Sequence, residues 1–104
     1  MESGMFILRT LASKMLEEKY PDLANFLGSW FPDADLEGLT DNEVTRKFMS
    51  VVSTAELEKV RSQCRSLLSL SSLPVQEIIA ESNRHFVTEE DCREWLTDVC
   101  RTLG

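Results

Sequence analysis

The sequence predicts an all-α fold, a single compact bundle of about five to six helices. Apolar residues recur every three or four positions through most of the chain, which is the spacing of one helix face. No segment shows the strict apolar–polar alternation of a half-buried strand. The connections between the periodic segments are short, so neighbouring helices can pack side by side. We therefore expect residues 1–104 to form one domain.

The first two predicted helices are separated at Pro21. Residues 6–19 carry a helical apolar stripe and form the expected N-terminal helix. Pro21 suits the first turn of a second helix, which the pattern extends to about Phe31. The apolar stripe of this second helix consists of Leu23, Phe26, Leu27, Trp30 and Phe31. Pro32 and Gly38 then predict an irregular acidic loop between them.

The third and fourth helices each begin at a capping sequence. Thr40 followed by Glu43 is a capping box, in which each side chain bonds the other residue's backbone N–H. Ser53 followed by Glu56 repeats this pattern and opens the fourth helix. The inward-facing positions are Val44, Phe48, Val51 and Val52 in the third helix, and Leu57, Val60, Cys64, Leu67 and Leu68 in the fourth.

The last two helices follow a serine cluster. Residues 69–72 end the fourth helix, and Pro74 starts a short fifth one. Residues 83–87 are predicted to form a turn. Thr88 with Asp91 then caps the last helix. Its apolar stripe consists of Cys92, Trp95, Leu96, Val99 and Leu103.

The charge distribution indicates a positively charged partner. Eighteen acidic and eleven basic residues give a net charge of −7, which repels phosphate backbones and argues against direct nucleic-acid binding. Residues 21–45 hold six acids and no lysine or arginine, so we expect a cation-free surface that meets a basic protein or a cation. No run is long enough to span a bilayer, and the N-terminus lacks signal-peptide features. We therefore expect a cytoplasmic protein without membrane contact.

The residues that could carry catalysis form no recognisable constellation. No serine lies in a G-x-S-x-G turn, and the single histidine, His85, has no evident carboxylate to orient it. Cys64, Cys92 and Cys100 form no C-x-x-C pair and fit small core residues of a reducing compartment. We therefore expect no enzymatic activity and no cofactor.

One metal-binding motif is half complete. The opening D-x-D-x-E-G of a calcium-binding EF-hand loop is formed by Asp33, Asp35, Glu37 and Gly38. The bidentate glutamate that closes such a loop would fall at Val44, and Glu43 is one residue early. We therefore expect no specific metal site.

Residues 20–31, YPDLANFLGSWF, resemble the immunity proteins of contact-dependent growth inhibition systems. In these small helical bacterial proteins, a helix of the form Y-P-x-L-x-x-F-L-G-x-x-F precedes an acidic turn, here residues 33–41. A tryptophan–leucine pair lies near the C-terminus, here Trp95-Leu96. The resemblance covers residues 20–103. It departs after Phe31, where relatives often have His-Gln-Asp-Trp and this chain has Pro-Asp-Ala-Asp.

The resemblance implies a partner and a mechanism. Such a protein binds and neutralises the C-terminal toxin domain of its own bacterium's contact-dependent growth inhibition exoprotein. These toxins are commonly nucleases with basic clefts, and an acidic inhibitor can block the cleft in place of phosphates. The sequence leaves one alternative open: a helical adaptor or regulatory subunit that binds a cytoplasmic protein unrelated to toxins.

Two acidic clusters are the candidate partner-binding residues. The first cluster covers the predicted loop and the following cap, and consists of Asp33, Asp35, Glu37, Asp41 and Glu43. The second cluster opens the last helix and consists of Glu89, Glu90, Asp91 and Glu94. Each residue also has a structural interpretation, as a turn former, a helix cap or a partner of the helix dipole.

The middle of the chain offers a competing, comparatively basic surface. It carries Arg46, Lys47, Lys59, Arg61 and Arg65. Glu56 with Lys59, and Glu58 with Arg61, have the spacing of pairs within one helix. We therefore expect much of this basic charge to be balanced internally.

Overall fold

The structure, a computed structural model, describes residues 15–104, and this part of the chain consists of helices and short connections. Its helices are α1 (residues 15–19), α2 (Pro21–Glu37), α3 (Asp41–Val51), α4 (Thr54–Leu68), α5 (Val75–Ser82) and α6 (Glu89–Leu103). The predicted all-α fold is confirmed. Most of the predicted N-terminal helix, residues 6–14, lies outside the described residues.

Helix α2 lies at the centre of the bundle. It packs against α3, α4 and α5, and α6 closes the bundle against α3 and α4. The buried apolar residues of these helices form one continuous cluster. In α2 the buried residues are Leu23, Ala24, Phe26, Leu27, Phe31 and Ala34. Each fully buried leucine or phenylalanine stabilises the fold by about 1.5–3 kcal/mol, so α2 contributes a large share of the core.

Aromatic contacts join α2 to the helices on either side. The rings of Phe26 and Phe48 lie 4.3 Å apart between centroids, and Trp30 meets Phe48 edge-on at 5.6 Å. Phe31 meets Trp95 edge-on at 5.2 Å, which connects α2 with α6. Both tryptophans are half-buried against the core, as their positions on apolar stripes predict.

The predicted acidic loop is helical, so that prediction is wrong. Helix α2 continues through Pro32 to Glu37. Pro32 has no N–H to donate to the carbonyl of Gly28, which normally disfavours a helix interior. The next turn nevertheless places Ala34 on the core face, where it is only 1% exposed. The helix ends at Gly38, which adopts a left-handed φ of 71° and donates its N–H to the Ala34 carbonyl.

Two helix starts follow the sequence prediction. The Thr40–Glu43 capping box is complete: the Thr40 side chain accepts from the Glu43 N–H at 3.1 Å, and Glu43 accepts from the Thr40 N–H at 2.9 Å. At the start of α6, the Thr88 hydroxyl accepts from the Asp91 N–H at 3.1 Å. These bonds satisfy backbone donors that a helix start leaves unpaired.

The second predicted capping box is only half formed. The Ser53 hydroxyl accepts from the Glu56 N–H at 3.1 Å, but the Glu56 carboxyl does not return to the Ser53 backbone. It lies instead against Asp22 of α2, and the hydrogen bond between the two carboxyls raises the pKa of Glu56. Gln63 donates to the other side of Asp22 at 2.7 Å. A contact between α2 and α4 therefore replaces the local cap.

The cysteines lie where small core residues were predicted. Cys64 and Cys92 are buried, Cys100 is half-buried, and all three are free thiols. In residues 15–104, no helix combines the length and the apolar character that a membrane span requires.

Candidate partner-binding surface

Asp41, the first residue of α3, is the centre of a charged cluster that joins several elements. Its Oδ1 accepts from Nη2 of Arg84 at 2.7 Å, and its Oδ2 accepts from Nε1 of Trp95 at 2.7 Å. Arg84 also donates from Nη1 to Oδ2 of Asp35 at 2.9 Å. The guanidinium carbon lies 5.4 Å from the ring centroid of Phe31, which is a cation–π distance. The cluster therefore ties the ends of α2 and α3 to α6 through the α5–α6 connection.

The environment of Asp41 keeps its carboxylate ionised and pairs it with a cation. Burial alone would raise the pKa of Asp41, but the hydrogen bonds from Arg84 and Trp95, with the charge of Arg84, outweigh burial and hold it below the ordinary value. Asp35 shares the same guanidinium. These two acids of the first cluster therefore stabilise the fold, and together with Arg84 they keep one net negative charge.

Glu37 is also paired with a cation of this chain. Its Oε2 lies 3.1 Å from Nζ of Lys47, on the neighbouring helix α3. Residues 21–45 include no lysine or arginine, but Lys47 and Arg84, from other parts of the chain, form ion pairs with acids of this segment. The predicted cation-free surface is therefore wrong for Asp35, Glu37 and Asp41. An exposed pair such as Glu37–Lys47 contributes less than about 1 kcal/mol and can open to a partner.

The remaining two acids of the first cluster are more available. Asp33 is exposed, and no residue in the described range forms a hydrogen bond or ion pair with it. Glu43 is also exposed, and its hydrogen bond from the Thr40 backbone lowers its pKa and keeps it charged. Both lie within two turns of the α2–α3 connection.

The second acidic cluster is the more open of the two. Glu89 is engaged, since it lies 3.5 Å from Arg93 and accepts from Ser72 at 3.2 Å. The other three acids are exposed and have no ion-pair partner within residues 15–104. They are Glu90, Asp91 and Glu94. We call these three residues the α6 acidic face.

Asp41 of the first cluster borders a cavity between α3 and α6, and no residue of the second cluster lines it. This surface cavity, of about 240 Å³, lies between the start of α3 and α6 and is lined by Thr40, Asp41, Asn42, Trp95, Asp98 and Val99. Asp98, on the next turn of α6 after Glu94, pairs at 3.2 Å with Arg101 in a largely exposed ion pair. Sequence reasoning missed both Asp98 and Arg84. Arg84 lies 43 residues beyond Asp41, a separation that no local pattern connects.

Three of the five residues of the predicted basic surface, Lys47, Arg61 and Arg65, are paired within the molecule. The predicted Glu56–Lys59 ion pair does not form, because the Glu56 carboxyl bonds Asp22. Glu58 and Arg61 form the predicted pair on α4. Arg61 also donates to the Leu103 carbonyl, and Arg65 donates to the Gly104 carbonyl at 2.7 Å. These arginines cap the C-terminal end of α6, where unpaired carbonyls and the helix dipole favour a positive charge.

The half-complete calcium motif does not form an ion-binding loop. Asp33, Asp35 and Glu37 belong to α2, and side chains two positions apart on a helix point about 200° away from each other. They cannot converge on one ion. Elsewhere in residues 15–104, no group of three or more His, Cys, Asp or Glu side chains is arranged to hold a metal.

The described residues thus form a small acidic helical bundle with one open acidic face. Residues 19–103 match the model of the CdiI immunity protein family. The chain belongs to this family of contact-dependent growth inhibition immunity proteins, which neutralise toxins and are generally not enzymes. The resemblance seen in the sequence is confirmed. No curated protein and no solved structure matches the chain.

Proposed function

We propose that this chain binds the C-terminal toxin domain of a cognate contact-dependent growth inhibition exoprotein, and that this toxin is a nuclease whose basic active-site cleft the chain blocks. Family membership supports a toxin as the partner. The observation that carries the nuclease-cleft proposal is the α6 acidic face. Its three carboxylates are exposed and form no ion pair with a described residue, and Arg93 and Arg101 border the same surface cavity as Glu90 and Glu94.

The physical reason is charge complementarity. A nuclease cleft is positive because it holds phosphates, and exposed carboxylates at fixed positions can take the place of those phosphates. The net charge of −7 adds a long-range attraction that speeds the encounter. Asp35 and Asp41 contribute less to this attraction than two free carboxylates would, because the single charge of Arg84 offsets half of their combined charge.

Inhibition in this proposal requires no chemistry by the immunity protein. The chain covers the cleft and excludes the substrate, and it acts in the cytoplasm, where a nuclease toxin meets its substrate. The adaptor alternative predicts a similar acidic bundle. The family match favours the toxin.

The test is a calorimetric titration of this protein into the toxin domain encoded immediately upstream, at low and high salt. We expect a dissociation constant of about 1 nM or tighter, which corresponds to about −12 kcal/mol. Binding should weaken at least about tenfold in high salt, because screening reduces the attraction between the charged surfaces. Absence of binding to a folded, active toxin domain would disprove the proposal.

The contribution of the α6 acidic face is tested by reversing two of its charges, Glu90→Lys with Glu94→Lys. We expect association to slow at least about tenfold, measured by stopped-flow fluorescence or surface plasmon resonance. The control is Glu17→Lys on α1, compared with Glu90→Lys alone, so that both variants change the net charge equally. Equal slowing by these two single variants would mean that total charge matters and the α6 acidic face does not.

A further inference from the structure

A second, smaller cavity lies between the C-terminal half of α2 and α3. Its volume is about 140 Å³. The side chains that define its character are the apolar Trp30, Leu39 and Val44 and the charged Asp33, Glu37 and Lys47. We call it the α2–α3 pocket. It is separate from the α6 acidic face, because α2 and α3 alone, with their connection, supply its walls.

The charges in the α2–α3 pocket do not cancel. Glu37 and Lys47 neutralise each other at 3.1 Å. Asp33 has no hydrogen-bond or ion-pair partner in the described range, so the pocket holds one uncompensated negative charge. The capping acid Glu43 lies on the first turn of α3, the residue before Val44 of the pocket wall, and adds to the negative charge of this region.

Trp30 gives the α2–α3 pocket a fixed aromatic wall. Its ring packs edge-on against Phe48, with 5.6 Å between centroids, and this contact holds the indole in place. Its N–H donates to no residue that the structure describes. An immobilised indole beside an unpaired carboxylate can bind a cation, because the ring face and the carboxylate both attract positive charge.

We propose that the α2–α3 pocket receives one basic side chain, arginine or lysine, of the toxin domain. Asp33 is its ion partner, and Trp30 lies against its apolar stem and cationic end. The cavity is large enough for the end of one side chain and too small for a helix. Pockets that pair tryptophan with a basic side chain are frequent centres of binding energy in protein interfaces. The inference rests on the proposed function, since it needs a protein partner with a basic surface.

The first test uses calorimetric titration of Asp33→Asn and Trp30→Phe into the same toxin domain. Asp33 is exposed and forms no hydrogen bond or ion pair with a described residue, so its amide variant should fold normally, as circular dichroism can check. We expect Asp33→Asn to raise the dissociation constant at least about tenfold. Trp30→Phe keeps an aromatic ring on Phe48 and should raise it less. Glu17→Gln removes an exposed carboxylate from α1 and should leave it unchanged.

The second test identifies the basic side chain through double-mutant cycles. Each lysine and arginine of the toxin domain is replaced by alanine and measured against the unaltered protein and against Asp33→Asn. The inference predicts one toxin position whose replacement weakens binding strongly with Asp33 present and little in the Asp33→Asn variant. Tight binding that Asp33→Asn leaves unchanged would overturn this inference alone. No binding by the unaltered protein would overturn the proposed function as well.

Discussion

At the scale of single residues, Asp41 is an acid that the sequence predicts to bind a partner and that the structure places in contacts stabilising the fold. Every group that reaches its side chain from another element is a donor: the Nε and Nη2 of Arg84 and the indole N–H of Trp95. A carboxylate can accept from all of them. An amide cannot, because its NH₂ group would face one of these donors.

We therefore predict that Asp41→Asn lowers the free energy of unfolding by about 2 kcal/mol at pH 7, measured by urea denaturation. The predicted loss of stability is moderate because the Asp41 side chain is still 34% exposed. Asp98→Asn is the control: Asp98 also lies beside Trp95, but its ion pair with Arg101 is exposed, so the change should stay within about 0.5 kcal/mol.

The effect of Asp41 should depend on pH in one direction. Its folded pKa lies below the ordinary value of 3.8, so its stabilisation is fully present above that value and is lost as pH falls through the folded pKa. The difference in stability between the unaltered protein and Asp41→Asn should therefore shrink below about pH 4. A difference that stays constant from pH 7 to pH 3 would contradict this account.

At the scale of elements, helix α2 shows where local sequence rules are overruled. Pro32 ends a helix in most contexts, and it led to the prediction of a loop. The helix instead continues from Phe31 to Glu37, with Ala34 buried on its core face and a left-handed cap at Gly38. In a helix, Asp35 and Asp33 point to different sides, so one meets Arg84 and the other borders the α2–α3 pocket. A loop would have left this separation undefined.

Gly38 gives a direct test of this helix end. A Cβ at Gly38 would meet no atom within 4 Å, so any cost of Gly38→Ala comes from its backbone φ of 71°. We predict that Gly38→Ala destabilises the protein by about 1 kcal/mol in urea denaturation. Gly38→Asn should cost less, because asparagine tolerates the left-handed region, as Asn83 does at the end of α5. Equal losses for both variants would point to a cause other than backbone conformation.

Periodicity and capping signals predicted most of the fold because they are local, but the inward position predicted for Val51 is wrong, since Val51 is 64% exposed. Thr40 with Glu43 and Thr88 with Asp91 depend on residues three positions apart, and both helix starts are where the sequence places them. The charge interpretation was weaker because ion pairs are not local. Arg84 and Lys47 reach the acidic segment from other elements, and only the folded chain shows which acids they neutralise.

At the scale of the whole molecule, one core protects two of the three thiols. Cys64 is fully buried between α4 and α6. Burial is the main cause that raises its pKa far above the ordinary value, and the neighbouring Cys100 is the second cause. Burial also raises the pKa of Cys92 to about 11. Both thiols are therefore inaccessible and protonated at neutral pH.

We predict that Cys64 and Cys92 react with a thiol reagent at pH 8 at least about a hundredfold more slowly in the native protein than in urea, as followed by mass spectrometry. The half-buried Cys100 is the internal comparison and should react first. Fast native labelling of Cys64 would mean that α6 separates from α4 without global unfolding.

The outer side of α6 has a consequence for how such a protein can change over time. The inner side of this helix is fixed to the core by Cys92, Leu96, Val99 and Leu103, whereas the α6 acidic face is exposed and forms no ion pair with a described residue. Under the proposed function, substitutions there alter what the molecule recognises and leave the buried side of the helix unchanged. Such an inhibitor can adapt to a diversifying toxin through single substitutions. Each variant still folds, because different residues determine affinity and stability.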